Sequence, residues 1–203
     1  IQDIGTLGGD FSEAYAINDS GEIVGTSNIA DGTYRAFLYS VGTMTDLNDI
    51  VPPSGLTLIE ARGINENGHI VGWGLTPDGK QNGFYWDRIN DVKNLGTLGG
   101  NYGAAYSVNN KGQAVGQSHI DGSTIHAFIY RDGLMEDLNN LVPGNPGWTL
   151  SVATGINDSG QVSAFSIVPN KKHVFRLDPI NQTPPPPPPP TPDPAPAPVP
   201  QAE

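Results

Sequence analysis

The segment Ile17-Asn-Asp-Ser-Gly21 decides the fold, because the same order of one apolar residue, Asn, two polar residues and Gly recurs three more times. Asn and Gly accept the positive φ that tight turns need, and a β-branched or alternating run follows each copy, so the pattern predicts a β-hairpin. The copies stand about 45 residues apart, the length of a small repeated unit of strands. The other copies are Ile64-Asn-Glu-Asn-Gly68, Val108-Asn-Asn-Lys-Gly112 and Ile156-Asn-Asp-Ser-Gly160.

A longer repeat groups the four units into two halves. Residues 3–52 and 94–143 align without a gap at a shift of 91, with 24 identities in 50 positions. Each unit also contains an aromatic strand, such as Arg35-Ala-Phe-Leu-Tyr39, and most end in a short strand such as Met44-Thr-Asp-Leu47. Four strands per unit predict an all-β fold, a four-bladed β-propeller. The predicted domain is 1–182, with repeats at about 5–48, 49–95, 96–139 and 140–182.

The fourth unit lacks its last strand, and the N-terminus offers a replacement. Ile1-Gln-Asp-Ile-Gly-Thr-Leu-Gly-Gly9 matches Val92-Lys-Asn-Leu-Gly-Thr-Leu-Gly-Gly100 at the same shift of 91. We therefore expect residues 1–5, with Ile1 and Ile4, to form a closure strand that completes blade four. Closing the ring in this way removes two unpaired sheet edges.

The strand before each turn carries small residues, as the narrow axis of a four-bladed ring requires. Strand alternation places Tyr15 and Tyr106 on the opposite face, where they can fill space between blades. This predicts a ring without a wide central cavity. The small residues four positions before the turn Asn are Ala14, Ala61, Ala105 and Ala153.

Composition excludes several classes of function. With 21 acidic and 10 basic side chains, the chain has a formal charge of −11, which argues against nucleic acid and anionic membranes as partners. The chain has no apolar run of the roughly 18 residues that a spanning helix needs, so we expect no membrane insertion. The absence of cysteine rules out thiolate metal sites and cysteine nucleophiles.

The C-terminal segment 183–203 has a different composition, with 12 of the chain's 19 prolines. Such a sequence predicts an extended polyproline II tail, which can dock in an aromatic-lined groove of a neighbouring copy. Thr183 and Thr191 are candidate O-glycan sites, and Asn181 is a candidate N-glycan site, if the protein is secreted. The candidate interaction residues of the tail are Pro184, Pro187, Pro190, Pro194 and Pro198.

The turns, the Leu95-Gly-Thr-Leu-Gly-Gly100 segment and the strand that begins His126-Ala-Phe128 together resemble the HAF-repeat family of probable extracellular repeat proteins. The resemblance covers about 182 residues and implies a β-propeller-like fold at an extracellular or cell-surface location in bacteria or archaea. It implies no catalytic residues.

No residue pattern marks an active site, so we expect a protein that is not an enzyme and has no cofactor. Asp46 and Asp137 are equivalent in the repeat, with Asp3 and Asn94 at the same place, which indicates a structural role. The polar residues that begin the aromatic strands are likewise equivalent, and their spacing is not that of metal ligands. Calcium in the Asn- and Asp-rich turns stays open as an alternative, although the spacing differs from an EF-hand. These strand-start residues are Arg35, Asn82, His126 and His173.

We therefore expect an extracellular structural protein, a subunit of a surface fibre or layer. In it the tail, or an exchanged N-terminal strand, docks on a neighbouring copy. The alternative is a monomeric cell-surface module that binds a glycan or a protein, with Trp148 on a long connection as a stacking platform and the tail as a spacer. A glycan-processing enzyme is the third reading.

Overall fold

A computed structural model describes residues 1–143, 147–168 and 171–180. Over this part the chain is all-β, with four antiparallel sheets and two helices of four residues each. The predicted all-β class is confirmed, and the described residues form four antiparallel sheets. The predicted tail, 183–203, lies outside the described residues.

The strands follow the four units of the sequence. The first sheet contains β1 (Ser12–Ile17), β2 (Ile23–Asn28), β3 (Tyr34–Ser40) and β4 (Thr43–Asp46), followed by α1 (Leu47–Ile50). The second contains β5 (Thr57–Ile64), β6 (Ile70–Leu75), β7 (Gln81–Trp86) and β8 (Lys93–Gly96). The third contains β9 (Gly103–Val108), β10 (Ala114–His119), β11 (Ile125–Arg131) and β12 (Leu134–Asp137), followed by α2 (Leu138–Leu141). The fourth contains β13 (Leu150–Ile156), β14 (Val162–Val168) and β15 (Lys171–Leu177).

The N-terminal segment differs from the prediction. Residues 1–11 form no strand, and among the described residues the fourth sheet has three strands, so the predicted closure strand is not formed. Ile1 is fully exposed, and Ile4 lies in irregular backbone. The segment is held on the first sheet instead, because the Leu7 amide donates to Ser27 Oγ at 2.9 Å and Gln2 Nε2 donates to the Tyr39 hydroxyl at 3.1 Å.

Consecutive sheets pack on one another through three buried apolar clusters. The first strand of each later sheet lies against the two middle strands of the sheet before it: β5 on β2 and β3, β9 on β6 and β7, β13 on β10 and β11. The sheets therefore form a series. Representative buried side chains are Val24, Leu47, Leu58 and Phe84 between the first and second sheets, Val71, Tyr85, Ala105 and Phe128 between the second and third, and Val115, Leu138, Leu150 and Val162 between the third and fourth.

Every sheet has a β-bulge at the same place in its first strand. In β1, Ala14 pairs with Gly25 and Ala16 with Val24, which leaves Tyr15 without a partner in the ladder. A bulge interrupts the alternation of side chains, so the predicted placement of Tyr15 and Tyr106 by strict alternation is wrong. The bulged residues of the four sheets are Tyr15, Arg62, Tyr106 and Thr154.

Each of the first three bulges lies against a glycine of the second strand. The bulge brings the Glu60 carbonyl oxygen into the space that a Cβ on Gly72 would need, and Gly25 and Gly116 are blocked by the equivalent carbonyls. At these positions glycine is needed for close approach of two backbones. The fourth sheet has Ala164 at this place.

We expect Gly72→Ala to destabilise the chain by about 1–3 kcal/mol, because the backbone of β5 or β6 must move to admit the methyl group. Urea unfolding followed by circular dichroism measures the change. Gly122→Ala is the matched control, since a Cβ there meets nothing within 4 Å, and its effect should stay within about 0.5 kcal/mol. Equal unfolding midpoints for the two variants would contradict the close approach.

Candidate assembly interface

The Asn of each hairpin turn uses both ends of its amide. In the second sheet, Asn65 Oδ1 accepts from the backbone N–H of Asn67 at 3.0 Å and of His69 at 2.8 Å, which holds its own turn. Asn65 Nδ2 then donates to the carbonyl oxygen of Asn109, the turn Asn of the third sheet, at 2.7 Å. One side chain therefore closes a hairpin and links two sheets.

These links run through the series and stop at its end. Asn18 Nδ2 donates to the Asn65 carbonyl at 3.2 Å, and Asn109 Nδ2 donates to the Asn157 carbonyl at 2.9 Å. Asn18, Asn65 and Asn109 are buried, whereas Asn157 is exposed and its Nδ2 donates to Gln161 Oε1 at 2.9 Å. Over the described part of the chain, the fourth link, from Asn157 to Asn18, is not formed.

A second row of hydrogen bonds follows the same path. The Asp19 amide donates to Glu66 Oε2 at 2.9 Å, and the Glu66 amide donates to Asn110 Oδ1 at 3.0 Å. The Asn110 amide then donates to Asp158 Oδ1 at 2.8 Å. These bonds hold the pKa of Asp158 below its usual range, chiefly through the backbone bond from Asn110. The residue after the turn Asn thus repeats the sheet-to-sheet link.

A polar pair joins the third and fourth strands of the first three sheets. In the fourth repeat the corresponding residues, His173 and Asp3, are not paired. The ring of Trp148 lies 4.3 Å from that of His173, and Asp3 Oδ1 accepts from the Gly5 amide at 2.9 Å. The formed pairs are Arg35–Asp46 at 3.7 Å, Asn82–Asn94 at 3.0 Å and His126–Asp137 at 2.6 Å.

The first strand of the series is uncovered. Ala14 is exposed, although the equivalent alanines of the other three sheets are almost fully buried by the preceding sheet. Ile17 is 66% exposed, against 7% for its repeat equivalent Val108. The face of β1 therefore has the apolar character of a buried surface, but among residues 1–143, 147–168 and 171–180 no sheet lies on it comparable with those on β5, β9 and β13.

The fourth sheet is also incomplete, but at a strand edge and not on a strand face. β15 pairs on one side with β14, and within the described residues its other edge has no strand beside it. On β15, Val174 is 80% exposed. Lys171, Lys172 and Arg176 are also exposed on this strand.

Charge differs between the two ends of the series. Residues 1–50 have eight acidic side chains and one basic side chain, Arg35, which gives a formal charge of −7. Residues 147–180 have Asp158 and Asp178 against three basic side chains, all on β15, which gives +1. The two open ends are therefore electrostatically complementary.

The bulged residues line a cleft of about 480 Å³. The guanidinium of Arg62 lies over the ring of Tyr15, 4.0 Å from its centroid, and Arg62 Nε donates to Glu60 Oε2 at 2.6 Å. Burial, with the nearby charge of Glu60, raises the pKa of Tyr15 to about 12. Burial also raises the pKa of Tyr106. Sequence reasoning missed this cleft because it assumed strict alternation.

Of the other residues singled out in the sequence, some have contacts within the fold and the rest lie outside the described residues. Asp46 and Asp137 cap α1 and α2, each accepting from the backbone N–H two residues later. Trp148 packs on β15, against His173 and Phe175. The candidate glycan sites Asn181, Thr183 and Thr191 and the tail prolines lie outside the described residues.

Across residues 1–143, 147–168 and 171–180, no group of three His, Cys, Asp or Glu side chains is placed to hold a metal ion. Over the same residues, no helix is long and apolar enough to span a membrane.

Residues 8–178 match a family described as proteins of unknown function, DUF3466. The chain belongs to that family. The resemblance to the HAF-repeat family is therefore wrong: the turn and strand motifs that suggested it are those of a DUF3466 member. A comparison with curated proteins finds no match.

We expect Asn65→Ala to destabilise the chain by about 0.5–1.5 kcal/mol more than Asn157→Ala, the net contribution of one buried hydrogen bond. Both variants lose the two backbone bonds of their own turn, and Asn157→Ala also loses its solvent-exposed bond to Gln161 Oε1. Asn65→Ala instead loses the buried bond to the Asn109 carbonyl, which then keeps only the Gly112 amide as its donor. Urea unfolding of the two variants measures the difference. Equal destabilisation would contradict a stabilising role for the sheet-to-sheet link.

The raised pKa of Tyr15 predicts a loss of stability at alkaline pH. Its folded value of about 12 lies above the ordinary value of 10.0, so its contribution is fully present below pH 10 and decreases as pH rises towards 12. We expect the phenolate absorbance difference between the wild type and Tyr15→Phe to appear near pH 12 in the folded protein and near pH 10 in urea. A folded-state difference near pH 10 would contradict the assigned environment.

Proposed function

We propose that this protein is a non-enzymatic structural subunit that associates with other copies of itself into a fibre or layer. The observation that supports this is the unfinished series of sheets: within the part of the chain that the structure describes, the face of β1 and the edge of β15 are uncovered, while the equivalent surfaces of the inner sheets are covered. Uncovered apolar faces and free strand edges favour association.

The proposed architecture is a propeller-type arrangement in which each sheet is a blade. The supporting contacts are those between the first strands of neighbouring sheets, because β1 lies beside β5, β5 beside β9 and β9 beside β13. In a propeller the first strands surround an axis in this way. The repeats at 5–48, 49–95, 96–139 and 140–182, with the tail at 183–203, remain the proposed divisions.

We further propose an extracellular or cell-surface location. With the HAF-repeat assignment overturned, this proposal rests on composition alone: a proline-rich tail with Thr183 and Thr191 has the character of a glycosylated stalk. The tail's prolines remain candidate contacts with a neighbouring copy.

The second candidate function is a monomeric module that binds a cell-surface glycan or protein. The cleft of the bulged residues favours it, because Tyr15, Arg62 and Tyr106 place aromatic rings and a cation at one opening. Aromatic rings with hydrogen-bonding groups at their edges are suited to stacking on sugars. Monomeric behaviour of the full chain would favour this second function.

We expect sedimentation velocity of the full chain to show a mass that rises with protein concentration. A second chain ending at Gln182 separates the role of the tail: loss of association assigns the contact to the tail, and retained association assigns it to the sheets. A full chain that stays monomeric at every concentration would overturn the structural proposal.

A further inference from the structure

We propose that the two open ends bind each other between copies: residues 1–5 of one copy add to β15 of the next as its missing fourth strand. The β1 face of the first copy then packs on the fourth sheet of the next. This inference rests on the proposed self-association and specifies the surfaces and the partner, which is a second copy of this chain.

The chain contains its own template for this contact. β8 completes the second sheet, and the chain then crosses to β9 of the third sheet. Residues 1–9 match residues 92–100, which include β8, and the first sheet matches the third at the shift of 91. The segment that leads into the first sheet therefore has a sequence similar to that of the segment that connects the second sheet to the third.

Residues 5–9 already bind the first sheet in the same way as residues 96–100 bind the third. The Leu7 amide donates to Ser27 Oγ at 2.9 Å, as the Leu98 amide donates to Ser118 Oγ at 2.8 Å. The Gly9 amide donates to the carbonyl of Asn28 at 3.1 Å, as the Gly100 amide donates to that of His119 at 2.9 Å. What differs is the preceding strand, because β8 has a sheet to join and residues 1–4 do not.

The repeat also gives the register. Within the second sheet, Phe84 lies opposite Asn94 and Tyr85 opposite Lys93. Transferred by the shift of 91, these pairs place Phe175 and Arg176 of the next copy opposite Asp3 and Gln2 of the first copy, respectively.

The same register restores the missing polar pair. Asn82 donates to Asn94 at 3.0 Å, and His126 lies 2.6 Å from Asp137, across the third and fourth strands of their sheets. His173 and Asp3 hold these two positions in the fourth repeat. Across two copies they complete the pair that the other three sheets contain within the chain.

The hydrogen bonds between turn asparagines and the distribution of charge also support contact between the two ends of different copies. Asn157 of the next copy gains the Asn18 carbonyl of the first copy as its acceptor, which continues the series of three links inside the chain. The formal charge of −7 over residues 1–50 meets +1 over residues 147–180. Attraction of this kind favours contact between opposite ends and disfavours contact between two acidic ends.

The junction between copies is more polar than its counterpart inside the chain. Ser163 and Arg176 stand where the second sheet has the buried Val71 and Tyr85. Less apolar surface and more charge make the contact weaker and sensitive to salt, as suits reversible assembly. Because the two surfaces differ, each added copy leaves a new open end, and growth continues unless the series closes into a ring.

Cysteine cross-linking of the full chain tests this arrangement, since the protein has no cysteine of its own. One preparation has Gln2→Cys and the other Arg176→Cys. After mixing and mild oxidation, a disulfide between the two different chains requires contact between copies. The matched control replaces Arg176→Cys with Lys171→Cys, five residues away on the same strand and equally exposed.

We expect the Gln2–Arg176 pair to give a cross-linked dimer in several-fold excess over the control pair, and Asp3→Lys in the Gln2→Cys chain to abolish that excess. Equal cross-linking of both pairs, or none, in a protein that associates in sedimentation would overturn the inference and leave the proposed function standing. A chain carrying both cysteines that forms its disulfide internally, as a monomer, would also overturn it. Absence of association in sedimentation would instead overturn the proposed function.

Discussion

The structure depends on the hydrogen bonds made by the side-chain amide of the asparagine in each hairpin turn. Its oxygen fixes the hairpin of its own sheet, and its nitrogen reaches the carbonyl of the next sheet. Because Asn18, Asn65 and Asn109 are buried, an unmade bond there costs the desolvation of a polar group. Local turn geometry and the alignment of neighbouring sheets are therefore coupled, and a change to one disturbs the other.

A series built on nearest-neighbour links resembles a solenoid in its energetics, because each unit is stabilised mainly by the units beside it. Inner units gain two neighbours and end units gain one. The exposure of Ala14, against the near-complete burial of its equivalents, shows what an end unit lacks. The two end sheets lack different neighbours. The first sheet lacks a sheet on the face of β1, and the fourth lacks a strand beside β15.

The repeat, the hairpin turns and the all-β class could be predicted because each follows from local turn chemistry and a fixed period. The closure strand was predicted from a true sequence match, but a match says which strand is missing and not which molecule supplies it. The bulges escaped prediction because the residues beside Tyr15 do not show, by their type, where the alternation of the strand is interrupted. Gly25, Gly72 and Gly116 were the available signal, since a glycine within a strand often marks a close backbone approach. The HAF-repeat resemblance failed because short turn and strand motifs recur across repeat families.

The bulge has a consequence for how such a chain can diversify. A residue left out of the ladder has no cross-strand partner to match, so its identity is decoupled from the pairing on either side. The four repeats already use this freedom, with Tyr15, Arg62, Tyr106 and Thr154 at one position between small neighbours. The scaffold thus offers four adjacent positions where new recognition chemistry can be introduced by substitution alone, while the hydrogen-bonded frame around them stays constant.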